Sequence, residues 1–588
     1  MSPDRSRTGR GYGSIRSGSC DLPLTIGPVT MRAMEITFLG GATTVTGSTH
    51  LITTDRARVL IDCGMFQGSP NESIRNRVPF GFDPATLDAV LLTHAHLDHC
   101  GRLPLLVKEG YGKTILATAG TCELASLVLL DSGHLHEEFA KREARWERRH
   151  PDEVQADDRK QEAAYQAAID LAASGGSEEA AVETGTAPAG AADATAASPA
   201  VTGEHVVTTI EPEPPHDWAT RDPEAELRSQ PPELQVDLDA PLYTVDDAQR
   251  AIEHFRPIDY DQEREVAPGV WATFLDAGHI LGSAIIRLRV QDGGNEHVIV
   301  CSGDLGRPDT PIIRDPTYLT SADYVLIEST YGGREHEPQD EAIRILSETV
   351  RLVSDAGGVL LVPSFAIGRT QEVVWELDRL IERGEIPLLP LYLDSPMATK
   401  ATGIYRKYSD YFDEETAKLL HEGATPLDYP SQVVINTAKE SAQIQYAKRP
   451  YMIVASNGML TGGRVVGHLR HLIDDPGATL LFVGYQGEGT LGAHLQAGAT
   501  TVKLDGQVRQ VRCTIRSIAG FSAHADESEL LDWIGRFAAG KRPGDPGFPR
   551  KVFLVHGDPE AQVALEPKVR ALGFETHVPK WHERVTLD

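Results

Sequence analysis

Thr93-His94-Ala95-His96-Leu97-Asp98-His99 follows an apolar run from Leu87 to Thr93 and sets three imidazoles and a carboxylate side by side. The run has the length and composition of a buried strand, and Gly101-Arg102-Leu103-Pro104 with Leu105-Leu106-Val107 reads as a turn opening a helix. The cluster therefore lies on a strand-to-helix turn, where side chains are free to converge on an ion. Neutral imidazole mixed with carboxylate is a ligand set suited to zinc. A lone histidine at a strand end is ordinarily a hydrogen-bonded loop residue. Three of them beside an aspartate, without a cation, would leave donors and acceptors competing for the same partners.

Four further polar residues close apolar strands in the same manner. Asp62 follows Arg58-Val59-Leu60-Ile61, and His279 lies in Leu275-Asp276-Ala277-Gly278-His279-Ile280-Leu281. Asp304 follows Val298 to Gly303, and His556 follows Val552-Phe553-Leu554-Val555. Strand ends of an α/β sheet line the crevice where ligands bind, which makes convergence plausible for each and leaves an ordinary loop role open.

At 588 residues the chain exceeds one hydrophobic core and implies two or three domains. No apolar stretch approaches the roughly 20 residues of a membrane span, and the first 33 residues lack the apolar segment of a secretory signal. They read as a disordered tail. Six scattered cysteines form no metal-ligand pair and no disulfide framework, which fits the cytoplasm, and Cys63 and Cys100 read as small core fillers. The net charge of −29 is unevenly spread: Ser174 to Ala240 holds 14 acids and 2 arginines, so that stretch carries −12 and the remainder −17. Polyanion binding depends on the local field more than on this total.

Residues 34–335 alternate strands, Gly-rich turns and helices in the pattern of a layered α/β domain. They are interrupted at about 145–240 by an insertion whose first part, to Ala173, is charged and alanine-rich enough for helix. Its remainder lacks the apolar content for a core and reads as disordered. A second α/β region spans 336–499, and strand-rich patterning returns over 500–588.

Taken in order, Asp62, His94, His96, Asp98, His99, His279 and Asp304 resemble the metallo-β-lactamase superfamily. Later motifs resemble its β-CASP branch of nucleic-acid-processing nucleases. They are Glu328-Ser329-Thr330-Tyr331-Gly332, Pro363-Ser364-Phe365-Ala366-Ile367-Gly368-Arg369, Asp394-Ser395-Pro396-Met397-Ala398, Ala455-Ser456-Asn457-Gly458-Met459, Gly520-Phe521-Ser522-Ala523-His524-Ala525-Asp526 and Val555-His556-Gly557-Asp558. The resemblance runs from Met34 to Asp588 outside the insertion. It implies a four-layer αβ/βα sandwich with an inserted β-CASP α/β domain.

The resemblance also implies roles. His94, His96 and His279 would hold one zinc ion, Asp98, His99 and His556 a second, and Asp304 would bridge them. Asp62 would orient ligands from behind. Glu328 and His524 would form an acid pair, His524 giving a proton to the departing ribose 3′-oxygen. The implied reaction is two-zinc hydrolysis of RNA phosphodiester bonds to 5′-phosphate and 3′-hydroxyl ends.

A histidine at 556 resembles the RNA-processing members, where the DNA-repair members carry an aliphatic residue. The first cluster and Phe521 to Asp526 are closer to the mRNA 3′-end-processing endonuclease and its bacterial relatives than to ribonuclease J. The 32 residues after His556 are too few for the extra domain of ribonuclease J, and no Gly-x-x-Gly loop of a KH module is visible. Arg369 and Arg464, beside Gly368 and Gly462-Gly463, are expected to contact phosphate; the alternative is that these glycines cap helices and the arginines form ion pairs. The expected partner is single-stranded RNA, without a membrane and with homodimerisation left open. Two rival readings are a thioester or lactam hydrolase and a catalytically inactive RNA-binding scaffold.

Overall fold

The computed structural model describes residues 33–175, 238–487, 489–504 and 506–588. The expected tail and the 176–237 part of the insertion lie outside them. Two seven-stranded sheets form the first lobe. One runs in the order Glu583–Thr586, Glu35–Gly40, Thr49–Thr53, Arg58–Ile61, Ala89–Leu91, Ile115–Ala117, Phe255–Pro257. The other runs Thr576–His577, Lys551–Val555, Tyr324–Glu328, Asn295–Cys301, Ala284–Asp292, Val270–Asp276, Arg264–Ala267.

Strand periodicity explains the layering. Ile36, Phe38, Val59 and Ile61 of the first sheet share a core with Phe274, Ile286, Leu288, Val290 and Leu326 of the second. The alternate residues Leu51, Leu60 and Val90 face outward against Leu103, Leu106, Leu124 and Leu129 of helices. On the far side Ile285, Val325 and Ile327 pack on Leu530, Trp533 and Leu565. Successive side chains point to opposite faces, so each strand apolar at every position is buried on both. The result is helix, sheet, sheet, helix.

The second lobe carries a six-stranded, all-parallel sheet in the order Gln432–Val434, Leu391–Asp394, Tyr451–Ala455, Val359–Pro363, Ala478–Phe482, Thr514–Ser517. Helices Gln339–Asp355 and Arg369–Glu382 cover one face and Arg464–Leu472 the other. Its last strand lies inside 500–588, which the sequence reading gave wholly to the first lobe. Thr514–Ser517 pairs with Thr479–Phe482, and a short half-polar strand does not announce which sheet it will join.

The beginning of the insertion is helical, as its charged, alanine-rich composition to Ala173 suggested. Helix Pro151–Ala173 follows the long helix Ala119–Glu147. Tyr165, Ala168, Ile169 and Ala172 fall at helical spacing and pack around Phe66, Val78 and Trp581. That stripe outweighs the charge of the surrounding residues.

One continuous core joins the lobes: Ile367, Trp375 and Tyr405 pack with Ile280, Leu281 and Leu124. The Leu281 N–H donates to Tyr405 Oη at 3.2 Å. Gly368, at φ +80°, permits the approach, because a Cβ there would stand 2.8 Å from Ile280 Cγ2.

Next to this seam Glu376 is buried, and among the described residues neither carboxylate oxygen has a hydrogen-bond partner. Burial, reinforced by the charge of Glu372, pushes its pKa from 4.5 up to about 8. The folded chain therefore keeps this proton while the unfolded chain releases it, so stability falls as pH rises through that interval. Glu376→Gln should melt above the parent at pH 8, the difference narrowing as pH falls toward 4.5. A thermal-melt difference that ignored pH would show that the group does not stay protonated.

Candidate metal centre

Each member of the centre leaves the end of a strand. His94 and His96 follow Ala89–Leu91, with His96 capping the one-turn helix Leu97–Cys100 that carries Asp98 and His99. Gly64 lies directly behind that turn: a Cβ there would come within 1.6 Å of the Asp98 carbonyl oxygen. Asp62 and His556 take the left-handed conformation, φ +58° and +49°, which turns their side chains sharply off their strands. His279 and Asp304 come from loops of the second sheet.

Residues far apart in sequence meet in two adjoining groups: His94, His96, His279 and Asp304, then Asp98, His99 and His556. In the first, His96 Nδ1 is 3.1 Å from both His94 Nε2 and His279 Nε2, and Asp304 Oδ2 is 3.3 Å from His94 Nε2 and 3.6 Å from His279 Nε2. In the second, His99 Nε2 is 3.2 Å from His556 Nε2, which is 3.6 Å from Asp98 Oδ2. Asp304 Oδ1 faces this group, 3.1 Å from His99 Nε2. One carboxylate thus offers an oxygen to each group.

Hydrogen bonds behind the rings settle which nitrogens are bare. Asp62 accepts from the Thr93 N–H at 2.8 Å, from Thr93 Oγ1–H at 2.8 Å and from His99 Nδ1–H at 2.7 Å. Thr93 Oγ1, its proton committed to Asp62, accepts from His94 Nδ1–H at 3.1 Å. His279 Nδ1–H donates to the Ala523 carbonyl at 3.1 Å. The Nε2 atoms of His94, His99 and His279 therefore all face the centre.

This donor set fits metal ions. Bare nitrogens and carboxylate oxygens crowded at 3.1–3.6 Å repel one another, and a proton on His96 can relieve only one such contact. Donors about 2.0–2.1 Å from a shared tetrahedral ion stand ~3.3 Å apart, which is the spacing found. Asp304 Oδ1 is buried and, among the described residues, has no hydrogen-bond partner. Burial, with repulsion from His99, lowers His94 to about 3, and burial lowers His96 to about 4, so both rings are neutral ligands at pH 7. His99 differs: although burial opposes charge, Asp304 and Asp62 draw its pKa up, so an ion must displace a proton there.

His524 stands at the edge of the centre. Its Nδ1 is 3.1 and 3.2 Å from the two Glu328 oxygens, and its Nε2 is 3.9 Å from Asp304 Oδ2. Glu328 is wholly buried, and its Oε1 also accepts from the Leu305 N–H at 2.7 Å.

Comparison with known proteins places this architecture. A metallo-beta-lactamase superfamily model matches residues 42–158, a Beta-Casp domain model 370–495, and a Zn-dependent metallo-hydrolase RNA specificity domain model 509–579. The chain is 32% identical over 554 residues to Ribonuclease TTHA0252 of Thermus thermophilus, covering 94% of this chain and 100% of that one. It belongs to the β-CASP family of the metallo-β-lactamase superfamily. The family also includes the transcription termination factors FttA of Methanosarcina mazei and Methanocaldococcus jannaschii, each 28% identical, matched over 94% and 93% of this chain and 72% and 70% of theirs.

In this β-CASP chain the two nominated arginines are held by internal partners. Arg369, 5% exposed, pairs with Glu372 one helical turn along. Arg464 bonds Asp394 at 2.7 Å and the carbonyls of Ile435 and Asn436. The glycines before them serve close packing: Gly368 meets Ile280, and a Cβ on Gly463 would stand 2.6 Å from the Ser456 carbonyl oxygen. The relay through Thr93 was missed, although its place in the first motif was a signal. His336, whose Nε2 donates to the His524 carbonyl at 3.1 Å, gave none.

Because Asp62 orients His99 directly and His94 through Thr93, Asp62→Asn should weaken divalent-metal affinity by about 10–100-fold. Competition against a chromophoric chelator measures this. Unaltered affinity would show that the rings are aimed without it.

Proposed function

We propose that this chain is a zinc-dependent ribonuclease that hydrolyses single-stranded RNA to products with 5′-phosphate and 3′-hydroxyl ends. The observation that carries the reading is the paired donor set sharing Asp304, with His524 beside it. Two zinc ions, one with His94, His96 and His279 and one with Asp98, His99 and His556, both sharing Asp304, would supply Lewis acidity toward the phosphoryl oxygens and activate water.

The chain's own residues do the rest. Glu328, fixed by the Leu305 N–H, accepts from His524 Nδ1–H and so turns Nε2 toward the centre. Burial disfavours a charged ring, but the charge and hydrogen bond of Glu328 outweigh it and raise His524 to about 9. Nearby cations push the opposite way, toward the neutral range where a general acid works best. His524 then holds a proton at Nε2 and gives it to the leaving ribose oxygen. RNA as substrate is supported by the relative named as a ribonuclease and by the RNA specificity model, whose span contains both His524 and His556.

His524→Ala should retain two zinc ions by elemental analysis yet lose about 10²–10⁴-fold in single-turnover cleavage of end-labelled RNA. His96→Ala should lose metal and cleavage together, and chelation should abolish cleavage until zinc is returned. Wild-type turnover by a zinc-loaded His524→Ala protein would remove His524 from this role, and an RNA left intact by the zinc-loaded parent would refute the activity.

A further inference from the structure

The chemistry above makes no use of Tyr331 or Asp558, although both belong to motifs that carry its residues. Asp558, two residues past His556, accepts from Tyr485 Oη at 2.8 Å. Tyr485 lies in the loop after strand Ala478–Phe482, so this bond ties the second lobe to the loop of a proposed ligand. The Arg334 guanidinium lies over the Tyr485 ring, Cζ 5.7 Å from its centroid. Tyr331 continues the line inward, its ring 5.9 Å from Tyr485 and 6.2 Å from His524.

Arg334 differs from the two arginines nominated from sequence. It is exposed and, among the described residues, no carboxylate is paired with it. Its support is Tyr485, through the ring face and a side-chain hydrogen bond, and the planar fork still has further N–H groups for an outside acceptor. Tyr485 is held in place by Asp558 at one end and by the edge of Tyr331 at the other. A planar, permanently charged donor on a fixed platform is what an oxyanion of a passing phosphodiester chain requires.

We infer that Arg334 binds the phosphate of a nucleotide flanking the scissile bond, with Tyr485 and Asp558 as positioning residues that set the guanidinium relative to His524. This subsite rests on the ribonuclease reading. It gives a strongly acidic chain a local cation where the backbone of its substrate must pass.

The test compares the zinc-loaded full-length parent with Arg334→Gln, Arg334→Lys and Tyr485→Phe on two substrates: a fluorescein-labelled single-stranded RNA and bis(p-nitrophenyl) phosphate, a diester with no flanking nucleotide. For Arg334→Gln, kcat/KM on RNA should fall about tenfold, through KM more than kcat, and the salt slope should shrink by about 0.7. The parent-to-variant ratio should be much smaller on the small diester. Arg334→Lys should recover part of the loss, and Tyr485→Phe, which keeps the ring but frees it from Asp558, should show a milder form of it. Equal losses on both substrates, or none on RNA, would overturn the subsite. A parent that turns over the small diester but leaves RNA intact would overturn the ribonuclease reading itself, a result separable from the first.

Discussion

The Asp304 carboxylate, buried among four imidazoles and, among the described residues, without a hydrogen-bond partner at Oδ1, is the constraint around which the rest of the molecule is arranged. A packed interior does not tolerate so many lone pairs at van der Waals distance unless something positive lies between them. Holding them there requires a frame stiffer than their repulsion. Two sheets apolar on both faces supply it, and left-handed backbone at Asp62 and His556 aims the side chains. Asp62 carries the constraint outward by binding one ring directly and another through Thr93.

Much of this was legible before any coordinates, and what was legible was local. His94 to His99 lie on one turn, so their convergence needs no knowledge of topology. Asp62, His279, Asp304 and His556 could be seen to end strands, but that they end at the same crevice is a property of strand order, which a single sequence does not display. Arg369 and Arg464 show a different limit, since their internal partners could not be read from the sequence. A glycine followed by arginine looks the same whether the glycine faces a phosphate or permits close packing, and here Gly368 lies against the Ile280 side chain and Gly463 against the Ser456 carbonyl. Thr514–Ser517 was assigned to the wrong lobe, and the docking of helix Pro151–Ala173 went unread, because their partners, Ala478–Phe482 and Trp581, lie outside the local pattern.

The seam between the lobes extends the metal centre to substrate. Tyr405 and Ile367 bind the second lobe to Leu281 and Ile280, immediately after His279, while Tyr485 reaches Asp558 just after His556. Both groups of donors are thus buttressed from the second lobe, and a shift of that lobe would be felt at both. Arg334, Tyr485 and Asp558 come from three separated loops, which is why no motif exposed them as a unit.

The order in which the donors occur along the chain has its own consequence. His556 belongs to one of the last strands to be made, and Glu583–Thr586, which seals the opening strand, is made later still. The group of His94, His96, His279 and Asp304 is therefore complete along the chain long before the group of Asp98 and His99 gains His556.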